Sequence, residues 1–446
     1  MVDHLTKGLA FAFLAGPWSE DELYARGRAA LGDGARGRTR WLRRLVRRML
    51  VAFPRAPVDR DDDLGRALAG DRGLRGAVWP GSARPARVQR WLIPEPTMVP
   101  IARGRFGVPP LPSAGDLAAA LGLRPEELEW FADEHRLNAS TPEPKLRHYH
   151  HRWVPKAAGG WRLLEAPKPR LKRIQRWLVD QVLAQIPVSE AAHGFVRGRS
   201  VRTFVAPHVG RRVVVRMDLL DFFASVSRAR VIALFRRVGY PRRVARALAG
   251  LCTAPTPERV LAEHPRHDVD LDQRFQANAR LRDAHLPQGA PTSPGLANLA
   301  AWRLDRRLSG LAAGFGATMT RYADDLAFSG DAAFERSLRF FIARARVIAA
   351  DEGFGVNHRK TRVMRQGGRQ TLCGVVVNDT ANLPRRERDR LRATLFNVAR
   401  FGLDGQNREG RPDFQRHLEG RVAWAAALNP VAGRRLRALL ARAPGE

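Results

Sequence analysis

The residues best placed to do chemistry lie in RYADDLAFSG, Arg321–Gly330, where Asp324 and Asp325 stand side by side between a tyrosine and an apolar run. Such a pair suits phosphoryl transfer. Negative charge develops on both the attacking and the leaving oxygen, and two divalent ions roughly 3.5 to 4 Å apart clamp both. Mg²⁺ prefers a few carboxylates completed by substrate phosphates, so the pair needs a third acid from elsewhere in the chain. Side chains in a strand alternate faces, so neighbouring aspartates converge only where the backbone turns. Tyr322-Ala323-Asp324-Asp325 is therefore expected at a hairpin tip. The plain alternative is a solvated turn, of which Asp61-Asp62-Asp63 is this chain's own example.

The elements that must position the pair follow. Val213–Met217 is a short apolar run that reads as a strand ending in Asp218, the expected third acid; Asp221 is the alternative, decided by which one points toward Asp324. Upstream, HRWVPKAAGGWRLLEAPKPRLKRIQRWLVDQVL alternates basic and apolar residues around Gly159-Gly160. That pattern reads as a hairpin followed by an amphipathic helix from about Arg170. Lys156 and Arg162 flank the hairpin and suit a triphosphate, as two basic groups on any surface hairpin would. In LPQGAPTSPGLANL, Gln288-Gly289 lets backbone approach a nucleotide closely, and Ser293 or Thr292 is expected to cap the helix that follows. Arg228–Leu251 reads as helical, and Cys252–His285 as polar and irregular.

With 446 residues, 44% of them hydrophobic, the chain has material for a large core and two or three domains. The net charge of +33 points to a polyanion, nucleic acid first and an anionic membrane surface second. Lysine occurs only at Lys7, Lys145, Lys156, Lys168, Lys172 and Lys360, so nearly all of this charge is arginine. Two cysteines, Cys252 and Cys373, make neither a disulfide framework nor a zinc site, which fits a reducing cytoplasm. No apolar run is long enough to span a bilayer. GLAFAFLAG (Gly8–Gly16) is the nearest thing to a signal core, but acids flank it without a convincing cleavage site.

Residues 1–113 read as a basic extension. Trp41, Leu42, Leu45, Val46, Met49 and Leu50 fall at helical spacing with Arg43, Arg44, Arg47 and Arg48 opposite. That helix suits RNA backbone, a membrane surface, or docking on its own protein with the arginines in solvent. Pro80–Pro112 is rich in proline and glycine and reads as an extended linker or wrapping strand. Ser113–Asn138 reads as two short helices, broken at Gly122.

From about Ser113 onward the sequence resembles a reverse transcriptase, of the bacterial retron type. VRMDLLDFF, LPQGAPTSP, RYADD and GFGVNHRKT (Gly353–Thr361) match four successive palm motifs in order and spacing, with the fingers-like LKRIQR (Leu171–Arg176) upstream. HGFVRGRS (His193–Ser200), SPGLANL and LEGRVAWAAALNP (Leu418–Pro430) are similar to retron enzymes. Two hallmarks depart from that pattern: Phe204–His208 stands for Asn-Ala-x-x-His, and Leu372-Cys373-Gly374 for Val-Thr-Gly. The resemblance implies an α+β right-hand polymerase with an antiparallel palm sheet: fingers and palm over 114–370, primer grip (Thr371–Asp379) and helical thumb over 371–446. It implies Asp218, Asp324 and Asp325 as ligands to two Mg²⁺ ions and Lys360 as a proton donor to departing pyrophosphate. Phe223 becomes the gate against a ribose 2′-hydroxyl, Lys156 and Arg162 the triphosphate holders, and Gln288 with Gly289 the residues near the incoming nucleotide.

The activity so implied is RNA-directed DNA synthesis from dNTPs on a structured RNA template, begun from a guanosine 2′-hydroxyl and passing through an RNA–DNA hybrid. Antiphage defence with an effector or toxin protein as partner belongs to the same expectation, in the cytoplasm and without a membrane. Two other readings stay open: a defence reverse transcriptase without a retron RNA, and a non-catalytic RNA-binding scaffold, against which the intact acids count.

Overall fold

The computed structural model describes residues 2–32, 40–78, 86–99, 106–156, 159–265 and 271–442. Contacts divide the chain into two units, one drawn from Met1–Arg105, Pro109–Glu129 and Phe235–Leu248, the other from Phe106–Val108, Trp130–Leu234 and Ala249–Glu446.

In the first unit the apolar period of the N-terminal region becomes helices. Val2–Leu14, Glu20–Leu31, Arg40–Ala52 and Asp61–Gly70 bury Leu5, Leu9, Phe13, Leu23, Leu42, Leu45, Val46, Met49, Leu64 and Leu68 in one core. The basic helix is therefore docked on its own protein. Its arginines are answered by acids: Arg47 on Glu20 at 2.8 Å, Arg48 on Asp71 at 2.6 Å, Arg43 on Asp21 at 3.5 Å. Most of the GLAFAFLAG run lies in Val2–Leu14, with Leu9, Ala12 and Phe13 buried. Within the linker, 79–85 and 100–105 lie outside the described residues. Residues 86–99 are extended and wrap the helices: Gln89 N–H donates to Ala30 O at 2.9 Å, and Trp91 meets Phe11 edge-on. No described helix is long and apolar enough to cross a membrane.

The second unit opens with a hairpin. β1 (Tyr149–Pro155) and β2 (Trp161–Pro167) pair antiparallel through the Gly159-Gly160 turn, and the helix Pro169–Gln181 follows with Leu171, Ile174 and Leu178 buried. β3 (Val213–Leu220) is apolar at nearly every position, as a strand covered on both faces must be. It lies between β5 (Asp325–Gly330) and β6 (Gly355–Val356), with β4 (Thr318–Tyr322) beyond β5 and β7 (Arg362–Arg365) also pairing β3; every pairing is antiparallel. The short hairpin β8 (Thr371–Leu372) and β9 (Val375–Val376) precedes helices Arg385–Phe401, Phe414–Leu428 and Pro430–Leu440. Val214, Ala327, Leu372, Val375, Leu391, Leu395, Leu418, Val422 and Leu436 form one core that joins sheet to helices.

Three local expectations change. β3 does not end at Asp218 but runs on to Leu220, because Leu219 and Leu220 find partners in Val356 and Gly355. Cys252–His285 is not irregular throughout: it holds helices Glu258–Ala262 and Leu271–Arg282. Polar residues around these helices are buried and hydrogen-bonded, Thr256 to Glu165 and His264 to Asn278, so polarity in this stretch does not mark loop. Neither hydroxyl caps Ser293–Ala300. Thr292 occupies the N-cap position without a side-chain bond, and the Ser293 hydroxyl donates to Pro287 O at 2.7 Å instead.

Candidate active site

The acidic pair lies at a hairpin tip. Tyr322 pairs with Asp325 as the last rung between β4 and β5, and Ala323 and Asp324 make the two-residue turn, Ala323 at φ +54°. In the same ladder system Asp218 on β3 faces Asp325 on β5. Cross-strand partners share a face of the sheet, so the two carboxylates are neighbours. Leu219 N–H donates to Asp324 O at 2.9 Å, tying the turn to β3. Burial, with Asp325 and Asp218 beside it, pushes the Asp324 carboxyl above its ordinary range.

Two cations answer this charge. Lys360 Nζ stands 3.1 and 3.2 Å from the two oxygens of the buried Asp218 carboxylate. Arg216, two residues before Asp218 on β3, bonds Asp325 Oδ1 from Nε at 2.8 Å and Nη2 at 2.7 Å. On its other oxygen Asp325 accepts from the Cys373 thiol at 3.5 Å, and burial lifts that thiol to about 12. Asp221, the alternative third acid, is paired elsewhere, with Arg280 at 2.6 Å.

Of the remaining expected residues, Lys156 sits at the hairpin turn, where burial lowers its ammonium below the ordinary lysine range. Asp221 and Asp218 act against that lowering, and Lys360 and Arg162 add to it. Arg162 is exposed on β2 opposite Val154. Gln288 and Gly289 lie against β2: Glu165 N–H donates to Gln288 O at 2.8 Å, and a Cβ at Gly289 (φ +124°) would stand 3.2 Å from Glu165 O. Phe223 joins a ring cluster with Phe222 at 5.6 Å and Phe195 at 6.3 Å.

Residues without a role in the sequence reading hold this geometry. Arg321 is fully buried and bidentate to Asp305 at 2.6 and 2.7 Å, and its Nη1 also donates to Asn298 Oδ1 at 2.9 Å and to Ala323 O at 3.1 Å. A buried guanidinium is tolerated when its donors are satisfied by a carboxylate fork, and here one donor grips the turn that carries Asp324. Glu165 on β2 is likewise buried, bonded to His285 at 2.9 Å and Thr256 at 2.8 Å. Burial alone would raise its carboxyl, but His285, His151 and Thr256 together outweigh burial and hold it low. The sequence offered no signal for Arg321 and Glu165 beyond the place of Arg321 directly before YADD, because the strand Thr318–Tyr322 is itself largely polar. Backbone strain gathers here too. Of the seven described non-glycine residues with positive φ, Phe195, Asp221, Ala323 and Cys373 all border the acids. Such outliers persist where the surroundings enforce them and function uses them.

Among the described residues no three acids, histidines or cysteines gather around a single metal position. The donor set nevertheless fits a hard divalent ion. Asp218, Asp324 and Asp325 offer only carboxylate oxygens, the hard donors that Mg²⁺ takes together with substrate phosphates.

Residues 154–387 match the family model for reverse transcriptase (RNA-dependent DNA polymerase). The chain is similar to the retron Mx65 reverse transcriptase of Myxococcus xanthus, 46% identical over 334 residues, covering 74% of this chain and 72% of that protein. It is 38% identical to the retron Mx162 reverse transcriptase of the same organism over 350 residues, 75% and 67% of the two chains. With the retron Ec86 reverse transcriptase of Escherichia coli it shares 27% over 242 residues, 53% and 65%. Among solved structures it is similar to a foamy viral protease-reverse transcriptase in complex with RNA/DNA hybrid, at 15% identity and TM-score 0.32, covering 67% of this chain and 31% of that one. It thus spans about a third of the viral chain's length.

Proposed function

The chain belongs to the retron reverse transcriptases, RNA-directed DNA polymerases, and from that premise we propose that the β4–β5 tip is its polymerising centre. The observation that carries this is the register: Asp218 opposite Asp325, with Asp324 in the adjoining turn. Asp218 and Asp324 would hold two Mg²⁺ ions with Asp325 in support, and these supply stabilisation of charge on the attacking and leaving oxygens. The protein's own groups do the rest. Lys156 and Arg162 hold the triphosphate, Gln288 and Gly289 line the approach of the dNTP, and Phe223 crowds the space of a 2′-hydroxyl. Lys360, already hydrogen-bonded to Asp218, carries a proton within reach of departing pyrophosphate. Arg216 fixes Asp325 from the side and limits repulsion among the acids.

In this reading β1–β2 and the helix after it act as fingers, the five-stranded sheet as palm, and the C-terminal helices as thumb. The substrate is a structured RNA that passes into an RNA–DNA hybrid, in the cytoplasm, and the product serves antiphage defence with an effector or toxin protein. The test is primer extension with poly(rA) template, oligo(dT) primer, dTTP and Mg²⁺. The unmodified chain incorporates dTTP and Asp324→Asn abolishes incorporation; undiminished activity in that variant overturns the site.

A further inference from the structure

We infer that Phe195 is a nucleobase-contact residue, an apolar wall against the base pair being formed at the polymerising centre; this rests on the proposed role of the β4–β5 tip. Its backbone is locked to that tip. Arg321 N–H donates to Ala191 O and His193 N–H to Arg321 O, both at 2.7 Å, so residues 191–193 run as a parallel bridge beside the end of β4. Asn298 Nδ2 donates to Gly194 O at 2.9 Å. Gly194 packs so tightly on the turn that a Cβ there would stand 2.6 Å from Ala323 N. Below it, one Arg199 nitrogen grips the carbonyls of Ser189, Glu190 and Ala192 at 2.8, 2.9 and 2.6 Å. The residue carried forward by this clamp is Phe195.

Folding rewards the position of Phe195 little. It adopts φ +60°, a region bulky side chains rarely enter, and the residue remains 55% exposed. A phenylalanine that gains little burial and strains its backbone is one whose ring position serves something else. The ring stands 6.3 Å from Phe223 and 6.4 Å from Tyr322, between the proposed sugar gate and the residue that leads into the acids. A flat apolar ring without a polar handle recognises the flat apolar surface of a base. Aromatic contact of this kind tolerates every base, which a copying enzyme requires. Phe223 would act on the sugar and Phe195 on the base.

The test is steady-state insertion of each dNTP on an annealed RNA template and DNA primer, with thermal unfolding measured in parallel. Phe195→Gly removes the ring and relieves the positive φ; Phe195→Tyr keeps the ring. Phe195→Gly is expected to raise KM for dNTP about tenfold, with kcat much less affected and the unfolding temperature no lower than in the parent. Phe195→Tyr restores KM. An unchanged KM in a Phe195→Gly chain of parental stability overturns the inference. So does a KM defect accompanied by a lowered unfolding temperature that Phe195→Tyr leaves uncorrected. If the parent chain itself extends no primer, the polymerase reading of the tip falls, and this inference with it.

Discussion

Phe223 is half-buried, in van der Waals company with Phe222 and open toward Phe195, so its ring is held from one side and available on the other. If steric exclusion of the 2′-hydroxyl is its task, Phe223→Ala should raise use of rNTPs relative to dNTPs about tenfold or more in primer extension. Equal discrimination in a well-folded variant would remove the gate. Arg321 poses a different question, because it touches no substrate in this reading. Arg321→Lys keeps a charge but cannot span both Asp305 oxygens and the Asn298 and Ala323 carbonyls at once. Leaving Asp305 poorly paired in the interior should cost about 3 kcal/mol or more by denaturant titration, and extension should slow because the turn carrying Asp324 loosens. Wild-type stability in this variant would show that the fork is dispensable. The acids themselves were legible from residue type alone. Arg321 was not, since its acid lies sixteen residues away on another element.

At the scale of elements, the β4–β5 hairpin is braced from beneath by His208, whose ring bonds Ser329 Oγ and Thr320 Oγ1, both at 2.7 Å. Burial holds this imidazole at about 3, and burial holds His148 at about 4. Both therefore fold neutral, while in the unfolded chain they take up protons near pH 6.5. Their contribution to stability is full above that value and is lost as pH falls through the folded values, by up to about 1.4 kcal/mol per pH unit for each. His285 works in the opposite sense. Burial would lower it, but Glu165 raises it, so its share is full below pH 6.5 and fades as pH rises through its folded value. Denaturant titrations at pH 7.5 and 5.5 should find the parent less stable at 5.5, and His208→Gln should flatten that dependence. An unaltered slope would show that His208 does not carry it. The first hairpin was readable from its glycine pair and the β4–β5 tip from two adjacent aspartates that must converge, whereas the helices within Cys252–His285 were not readable. The first is only five residues long and buries just Val260 and Leu261, too short to show a period, and the second buries the polar Asn278, which reads as exposed until its partner His264 is known.

For the whole molecule the question is what a charge of +33 is for. Part of it is spent internally, as on the Arg40–Ala52 helix. Along Arg385–Phe401 the partners are weak: Arg385 meets Asp389 at 3.6 Å, Arg392 meets it at 4.0 Å, and these pairs are solvent-exposed. Screened pairs yield readily to phosphates. Replacing Arg388 and Arg392 by glutamate should abolish RNA-linked DNA made in cells from the native locus, detected after RNase and debranching treatment. Extension of an annealed oligonucleotide should suffer far less, and equal loss of both would assign these arginines to general duplex binding. What the sequence determined by itself is local: the order of the motifs, the hairpins at Gly159-Gly160 and Ala323-Asp324, and the helices set by period and breakers. These depend on interactions between residues a few positions apart. Only the tertiary structure decided that Asp218, and not Asp221, faces Asp325, that Arg321 finds Asp305, and that Glu165 finds His285. Buried charge must be paired, but its partner is chosen by proximity in the folded chain, which no local pattern of residues records.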